Sequence, residues 1–433
     1  MTKRFKPYAP DQLELKPRSL AELLPDDHLG FFVSDVVDQM DVGEIVKGYG
    51  QAGGPAYEPR MMLKLLIYAY VTGEYSSRQI QRRIREEIAY RYLAGGYDPT
   101  YKAISEFRRK NLKAFRGLFL QLLVMAQDLG LVKLGHVAID GSKVRANASK
   151  HKAMSYGRMK LRLKELEDEV KAMTDKAEEA DRKEEGHPEK IATALPEELK
   201  RKEDRIARIR AAKAKLEEEA KKKDDGPPDP DGGGGTPPDK AQSNFTDPES
   251  RIMKCADGSF QQAYNVQIAV DTKSHLIVAS HVTNHPTDVL HLPAVLAAVR
   301  SNAGRAPRFV SADAGYYSQK NIDAIRAAGS EPFIPPDKIR HNTPPPSPPR
   351  GRIPNGLSEK ERMRRKLRTK RGRAIYLKRM ASVEPVFSHI KERRRFRRFS
   401  LRGLGKVAAE WDLVALAHNL LKLHRHLGMI LAN

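Results

Sequence analysis

The stretch Leu134–Arg145 reads LGHVAIDGSKVR and has the pattern of a β-strand. It is short, apolar and rich in β-branched residues, and its apolar run ends at Asp140 beside Gly141. This pattern predicts a strand with the Asp140 carboxylate at its end, where it emerges from the sheet. The alternative interpretation of Asp140 is a turn-forming aspartate, a common use of this residue beside glycine.

Further strand patterns follow this segment along the chain. Ala263–Asp271 and Leu276–Val282 are separated by turn residues and predict a hairpin. Arg308–Tyr317 (RFVSADAGYY) repeats the first pattern, because its apolar run ends on Asp313 beside a glycine, and Glu331–Pro335 is a last short run. With helical patterns between the later strands, this order predicts an α/β fold in which helices sandwich a sheet.

A long insertion interrupts the strand patterns. Residues 150 to 223 are dense in Lys, Glu and Ala with apolar residues at helical intervals, which predicts a helical hairpin broken near Gly186–Pro188. Asp224–Asp239 is rich in Pro, Gly and Asp and predicts a flexible linker. Three roles stay open for the hairpin: a dimerisation arm, a DNA clamp or a passive insertion. Its near-balanced charge argues mildly against a clamp.

Residues 20 to 130 carry helical patterns and little sign of a strand. Arg60–Val71 predicts a helix with Pro59 in its first turn, Ser76 is a start signal for another, and a further helix follows the turn at Gly95–Pro99. Basic residues are prominent on these helices, namely Arg82, Arg83, Arg85, Arg108, Arg109 and Lys110. They fit equally a DNA-backbone contact and the solvated face of a helical bundle.

A second distinctive segment is Tyr376–Lys391 (YLKRMASVEPVFSHIK), in which Glu384 is the one acid. Residues 350 to 402 hold 20 Lys and Arg against 4 Asp and Glu, a net charge of +16. A carboxylate in these surroundings either pairs with an arginine or binds a metal. Because Pro385 disfavours helix at the residue before it, the helix here either kinks at Glu384 or begins there.

Composition points to a polyanionic partner. The 433 residues carry a formal net charge of +23, which favours nucleic acid over a merely basic soluble protein. No apolar run suits a bilayer span, so no membrane partner is expected. The single cysteine, Cys255, excludes an internal disulfide, and the N-terminus lacks the apolar core of a signal peptide. We therefore expect a cytoplasmic protein.

Three carboxylates stand out as a candidate metal site: Asp140, Asp313 and Glu384. Mg²⁺ prefers oxygen ligands, and a pair of such ions can stabilise both the attacking and the leaving oxygen of a phosphodiester. Other polar residues receive no chemical role from the sequence. Asp247 is interpreted as part of a plain turn, and Trp411, at helical spacing with leucines, as a core residue. The histidines have no spacing that indicates a metal site; they are His136, His281, His285 and His291.

The chain resembles the DDE transposases of bacterial insertion sequences. The matching segments, in order, are Pro55–Pro59, Ser76–Arg78, Ile104–Arg108, Ile139–Lys143, Tyr264–Gln267, Ala312–Tyr316, Val383–Phe387 and His418–Leu420. The family also has a Tyr-x2-Arg-x3-Glu-x6-Lys signature. Tyr376, Arg379, Glu384 and Lys391 follow it with one extra residue between the arginine and the glutamate.

The resemblance implies a fold and a set of site residues. The fold is a ribonuclease H-like mixed sheet flanked by helices, with an all-α N-terminal domain and the inserted hairpin. Asp140, Asp313 and Glu384 would be the catalytic residues and hold Mg²⁺, with Mn²⁺ as a substitute. The expected DNA contacts are Tyr376, Arg379 and Lys391 by resemblance, together with Arg82, Arg83, Arg108 and Arg109 of the basic helices.

The expected organisation has three parts: a helical DNA-binding domain at residues 1–130, a catalytic domain at residues 131–149 and 241–425, and the insertion with its linker at residues 150–240. The expected activity is cleavage of double-stranded DNA at transposon terminal repeats and joining of the 3′-hydroxyls to target DNA, by a homodimer in a synaptic complex. Such a protein is nucleoid-associated when bound to DNA. The alternatives are a catalytically inactive repressor or scaffold of the same fold, and a nuclease without strand transfer.

Overall fold

The computed structural model describes residues 19–49, 56–183, 194–224, 236–255, 257–338 and 347–431. Contacts divide the chain into two compact units, Met1–Leu122 with Leu416–Asn433, and Leu123–Ala415. Within the described ranges, no helix combines the length and the apolar character needed to cross a membrane.

The first unit is helical, as the sequence predicted. Its helices are α1 (Leu29–Gln39), α2 (Gly43–Val46), α3 (Pro59–Thr72), α4 (Ser77–Glu86), α5 (Ile88–Leu93), α6 (Tyr101–Lys110) and α7 (Leu112–Asp128). Helix α7 continues past Leu122, the last residue of this part of the unit. Pro59 is the first residue of α3, where a missing N–H costs nothing, and Gly73 ends that helix with a φ of 84°. Ser76 caps α4 through its side chain, which confirms the predicted start.

The second unit is built on a mixed sheet. The strands of this sheet are β1 (His136–Arg145), β4 (Arg251–Lys254), β5 (Phe260–Asp271), β6 (Ile277–Thr283), β7 (Phe309–Ser311) and β8 (Glu331–Phe333). A separate two-stranded pair consists of β2 (Ala153–Ser155) and β3 (Gln242–Asn244). Strand β1 is antiparallel to β5 and parallel to β7, and β8 lies parallel beyond β7. Both β4 and β6 pair with β5. This arrangement confirms the predicted ribonuclease H-like mixed sheet.

Further helices complete the unit, and the part of the last helix that follows Ala415 belongs to the first unit. They are α8 (Tyr156–Lys183), α9 (Ala194–Asp224), α10 (Leu292–Ala303), α11 (Gln319–Ala327), α12 (Glu359–Arg368), α13 (Lys370–Ser388) and α14 (Leu404–Leu431). Helix α10 packs on β5 and β6, and α13 packs on β1. Trp411 of α14 is fully buried against Phe396 and Phe399, which confirms its predicted core position.

Strand β1 is longer than the sequence predicted. Asp140 lies in its middle, opposite Ile268 of β5, and the strand continues to Arg145. The expectation that β1 ends at Asp140 is therefore wrong. On the other side, however, the pairing with β7 ends at Ala138 opposite Ser311. The Asp140 backbone thus has a neighbour on one side only, because β7 ends before reaching it.

Three short strands were not predicted from the sequence. β2, β3 and β4 have three or four residues each, too few for alternation to be recognised. The Thr246–Arg251 segment, interpreted as a plain turn, includes buried Asp247, whose Oδ1 accepts a hydrogen bond from Tyr264 Oη at 2.9 Å. Asp247 therefore attaches the segment that precedes β4 to β5.

The inserted hairpin is confirmed by α8 and α9, which pack against each other. Their buried layer consists of Tyr156, Met159, Leu163, Leu166, Ile206, Ile209, Ala212 and Leu216. The predicted break at Gly186–Pro188 lies outside the described residues, and so does most of the predicted linker at Asp224–Asp239.

Helix α13 begins well before Glu384. Thr369 caps it by accepting a hydrogen bond from Gly372 N–H at 3.0 Å, and the helix continues through Pro385. The alternative that a helix begins at Glu384 is wrong. The chain then widens into a π-helical turn at His389–Arg393, which includes Lys391.

The turn between α12 and α13 predicts the effect of one substitution. A Cβ on Gly372 would lie 2.0 Å from the carbonyl oxygen of Lys366, a backbone atom that cannot move alone. We expect Gly372→Ala to destabilise the unit by about 1–3 kcal/mol, because overpacking forces the backbone to shift. Urea unfolding followed by circular dichroism measures this loss.

The matched control is Gly405→Ala in α14, where a Cβ meets nothing within 4 Å. We expect this change to be neutral or to stabilise by up to about 1 kcal/mol, since alanine is the better helix former. Equal stability of the two variants would contradict the packing argument.

Candidate functional site

Asp140 lies at the centre of the candidate site. Its side chain retains 20% exposure, its Oδ2 accepts a hydrogen bond from Arg379 Nη1 at 3.1 Å, and its Oδ1 accepts one from Gly141 N–H at 2.9 Å. Burial raises the pKa of Asp140 to about 6, against the opposing effect of Arg379. The negative charges of Asp313 and Asp288 raise the pKa further. The single guanidinium of Arg379 therefore compensates the negative charge of the Asp140 carboxylate only in part.

Arg379 of α13 joins two of the three predicted acids. Its side chain is 9% exposed, and its Nη2 lies 3.8 Å from Glu384 Oε1. Burial alone would lower the pKa of Arg379, but Asp140, Tyr376 and Asp313 outweigh that effect and raise it. One guanidinium thus lies in the field of three carboxylates, which is the expected position of a counter-ion among acids that repel each other.

Asp313 lies two residues after the last residue of β7, close to the predicted strand end. Its side chain accepts a hydrogen bond from Gly315 N–H at 2.9 Å and caps the 3₁₀ turn Ala314–Tyr316. Asp313 therefore acts as a turn-forming aspartate. The hydrogen bond from Gly315 uses Oδ1 of Asp313, whereas Oδ2 has no hydrogen bond to any residue in the part of the chain that the structure describes.

Glu384 occupies a different environment from the other two acids. Its side chain is 55% exposed, while its neighbours Val383 and Phe387 are buried. The pairing with an arginine considered from the sequence is observed, with Arg379 as the partner. Among the described residues, no three His, Cys, Asp or Glu side chains are already arranged to hold a metal. The donor set of three carboxylates nevertheless matches the oxygen ligands that Mg²⁺ prefers.

Lys391 fastens the chain to β1 beyond Asp140. Its Nζ donates hydrogen bonds to Ser142 Oγ and, at 2.8 Å, to the carbonyl oxygen of Lys143. Burial lowers the pKa of Lys391. Tyr376 lies beside Arg379, with the guanidinium carbon 5.7 Å from the ring centroid. These predicted DNA contacts are thus largely occupied by contacts within the protein.

A polar cluster beside Asp140 was not assigned a role from the sequence. Asp288 Oδ1 accepts hydrogen bonds from Asn265 Nδ2 at 2.7 Å, Gln267 Nε2 at 2.8 Å and Lys143 Nζ at 2.9 Å. Tyr316, fully buried, donates from its hydroxyl to Gln267 Oε1. A signal existed in the sequence, because Asn265 and Gln267 alternate with apolar residues in a buried strand. Polar side chains there require partners.

Gly141 is required by this cluster. A Cβ on Gly141 would lie 2.3 Å from Gln267 Nε2 and 2.8 Å from Asp288 Oδ1. Both atoms are held by the hydrogen bonds just described, so neither can withdraw without breaking one. The Asp140-Gly141 pair is therefore explained by packing across the sheet, in addition to any chemistry of Asp140.

The basic helices of the first unit present mostly paired arginines. Arg82 lies 2.7 Å from Glu86, Arg83 lies 3.0 Å from Glu87, and Arg109 lies 3.8 Å from Glu106, all among half-exposed side chains. Such surface pairs are worth about 0–1 kcal/mol and exchange readily for another anion. These three arginines remain accessible to solvent.

Arg108 differs from its neighbours and corrects one expectation. It is 7% exposed, and its Nη1 donates to the carbonyl oxygen of Tyr75 at 2.8 Å and to the Tyr70 hydroxyl at 3.3 Å. Its guanidinium holds α3, α4 and α6 together and is not presented to DNA. Because α6 turns this position inward, the sequence-based grouping of Arg108 with Arg109 is wrong.

Two protein families match the chain. Residues 236–420 match a family described as Transposase DDE domain, and residues 18–110 match one described as Transposase domain (DUF772). The first match includes Asp313 and Glu384, whereas Asp140 lies before it. The chain has no significant match among curated proteins or among solved structures.

The cluster around Gly141 generates a testable prediction. We expect Gly141→Ala to lower the free energy of unfolding by about 1–3 kcal/mol, because Gln267 and Asp288 must be displaced from their hydrogen bonds. Gly135→Ala, six residues earlier, is the control, since a Cβ there meets nothing within 4 Å. Urea titration of both variants measures the difference in stability. Equal unfolding midpoints would show that Gln267 and Asp288 are displaced at no cost.

Proposed function

We propose that this chain, which belongs to the DDE-type insertion-sequence transposases, cuts DNA at the ends of its element and joins the freed 3′-hydroxyls to target DNA. The observation that carries the proposal is the position of Arg379, in contact with Asp140 and Glu384 and in the field of Asp313. Three acids converge on one cation, although they come from a strand, a loop and a helix distant in sequence.

We assign metal binding to Asp140, Asp313 and Glu384. Bound there, Mg²⁺, or Mn²⁺ in its place, would supply Lewis-acid activation of the phosphodiester. Arg379 compensates the charge of the acids and, once released from them, is free to bind a DNA phosphate. Lys391 positions β1 through Ser142 and the Lys143 carbonyl. We also assign Lys391 a contact with the same DNA strand, because its ammonium group is positively charged.

We assign recognition of the DNA ends to the helical domain at residues 1–130 and catalysis to residues 131–149 and 241–425. Arg82, Arg83 and Arg109 support the first assignment, because exposed pairs with glutamates exchange for phosphates at little cost. The insertion at residues 150–240 is assigned no chemistry. Synapsis of two ends is proposed to require a homodimer.

The test is cleavage of a labelled duplex that carries the ends of the element, with Mg²⁺, Mn²⁺ or EDTA. We expect Glu384→Gln, Asp140→Asn and Asp313→Asn each to lower the nicking rate by about 100-fold or more, because each removes a charged metal ligand. Duplex binding, followed by fluorescence anisotropy in EDTA, is expected to persist. A pre-cleaved end mixed with plasmid DNA then tests joining.

The matched control is Glu392→Gln, which neutralises an exposed glutamate eight residues along that pairs with Arg397. Its nicking rate is expected to equal that of the natural chain. Specific binding without nicking under any divalent metal would contradict the proposal and favour the repressor or scaffold. Nicking without joining would favour the nuclease.

A further inference from the structure

A cavity lies near the amino end of β1. It has a volume of about 590 Å³ and is bordered by the start of β1, the turn between β5 and β6, the start of β7, and one face of α13. That face of α13 contributes Ile375, Lys378 and Ala381. The cavity takes no part in the chemistry proposed for Asp140, Asp313 and Glu384.

Positive charge dominates the lining of this cavity. Its exposed cations are Lys133, Lys273, Arg308 and Lys378. Among the described ranges of the chain, none of the four forms an ion pair, whereas three of the four arginines on α4 do. Four uncompensated cations around one cavity repel each other, and an anion in the cavity would remove that repulsion.

The one acid of the lining, Asp271, is already committed. It is 1% exposed, its Oδ2 accepts a hydrogen bond from Leu134 N–H at 2.8 Å, and its Oδ1 accepts one from Lys273 N–H at 2.9 Å. Asp271 therefore holds the turn and the start of β1 in place. It does not extend to neutralise the surrounding lysine side chains.

A buried imidazole provides an independent observation. His136 lines the cavity and is 8% exposed; its Nε2 bonds Ser311 Oγ at 2.7 Å, while its buried Nδ1 has no hydrogen-bond partner among the described residues. Burial, and then the charge of Lys378, lower the pKa of His136 to about 4, so the ring is neutral at pH 7. A buried ring nitrogen without a hydrogen-bond partner is rare, and this one belongs to a residue that lines a cationic cavity.

The cavity lies on the same side of the sheet as Asp140. His136 and Asp140 are four residues apart on β1, so their side chains share a face and are separated by about 13 Å at roughly 3.3 Å per residue. Each DNA strand carries one phosphate for about every 3.4 Å of helix axis. A strand cleaved beside Asp140 would therefore bring another phosphate to the cavity within a few nucleotides.

We propose that this cavity is a phosphate-binding site that holds the backbone of the DNA strand a few nucleotides from the cleaved bond. Lys273, Arg308 and Lys378 supply the charge, and His136 supplies the buried polar contact. The identity of the strand rests on the proposed function, whereas the phosphate chemistry rests on the cavity alone.

The first experiment reverses three charges together, in Lys273→Glu, Arg308→Glu and Lys378→Glu. The control reverses Lys254, Lys320 and Lys406, which are also exposed and line no part of the cavity, and it changes the net charge by the same amount. Duplex affinity is measured by fluorescence anisotropy in EDTA across a salt series. We expect the cavity variant to lose at least about tenfold more affinity than the control and to lower the salt slope by about 2–3.

The second experiment uses the natural chain, so it does not depend on the folding of a variant. Lysine acetylation followed by mass spectrometry is compared with and without duplex DNA, and we expect protection of Lys273 and Lys378 but not of Lys320. A third arm measures thermal stability with inorganic phosphate against chloride at equal ionic strength.

Phosphate that stabilises the natural chain but not the cavity variant, with equal DNA binding by both triple variants, would support the site with free phosphate as its ligand. Equal DNA binding, no protection and no effect of phosphate would overturn the proposal. Because every arm omits the divalent metal, these outcomes are independent of nicking. Glu384→Gln, expected to bind DNA normally, separates failure of this site from failure of the proposed catalysis.

Discussion

The ion pair between Asp140 and Arg379 is the contact on which the candidate site depends. It joins the central strand to α13 with 3.1 Å between charged atoms, and both side chains are largely withdrawn from water. Taking two charges out of water costs several kcal/mol, which their attraction offsets only with good geometry. Removing Arg379 would leave the largely buried Asp140 carboxylate without its ion-pair partner. The arrangement of α13 on β1 is therefore tied to the charge state of the acids.

The sheet beside this ion pair contains polar groups where a core strand normally places apolar ones. Asn265, Gln267 and Tyr316 are buried, and their hydrogen bonds converge on each other and on Asp288. Such a cluster is stable only when its members are satisfied, since an unpaired buried polar group costs about 1–3 kcal/mol. Gly141 leaves the space that this packing needs. Position 140 is consequently held from one side by Arg379 and from the other by a rigid polar layer.

Net charge alone would not have distinguished the regions of this strongly basic chain. On α4 the arginines lie beside glutamates one helical turn away, so the charge of that surface is largely compensated. Around the cavity at His136 the cations come from four segments and have no ion-pair partners among the residues described. The field at a surface depends on which charges are neighbours, and helices and strands bring distant segments together.

Much of the fold was predictable because the signals are local. The 3.6-residue period predicted the helices of residues 20–130 and of the insertion, and the apolar runs before Asp140 and Asp313 predicted the strands of the central sheet. The short strands β2 to β4 escaped prediction, since three or four residues carry too little pattern. The inward position of Arg108 escaped it as well. Adjacent arginines look alike in a sequence and differ only in which side of a helix faces the bundle.

The candidate site, like the fold, was predictable from the sequence only in part. Sequence by itself identified Asp140, Asp313 and Glu384 as acids in distinctive settings, since glycine after a strand and an isolated acid among cations are features of neighbouring residues. Only the tertiary structure placed Arg379 between Asp140 and Glu384, brought Asp288 and Gln267 against Gly141, and gathered unpaired cations around His136. These contacts join residues up to hundreds of positions apart, and their distances are decided by strand pairing and helix packing, which no local pattern specifies.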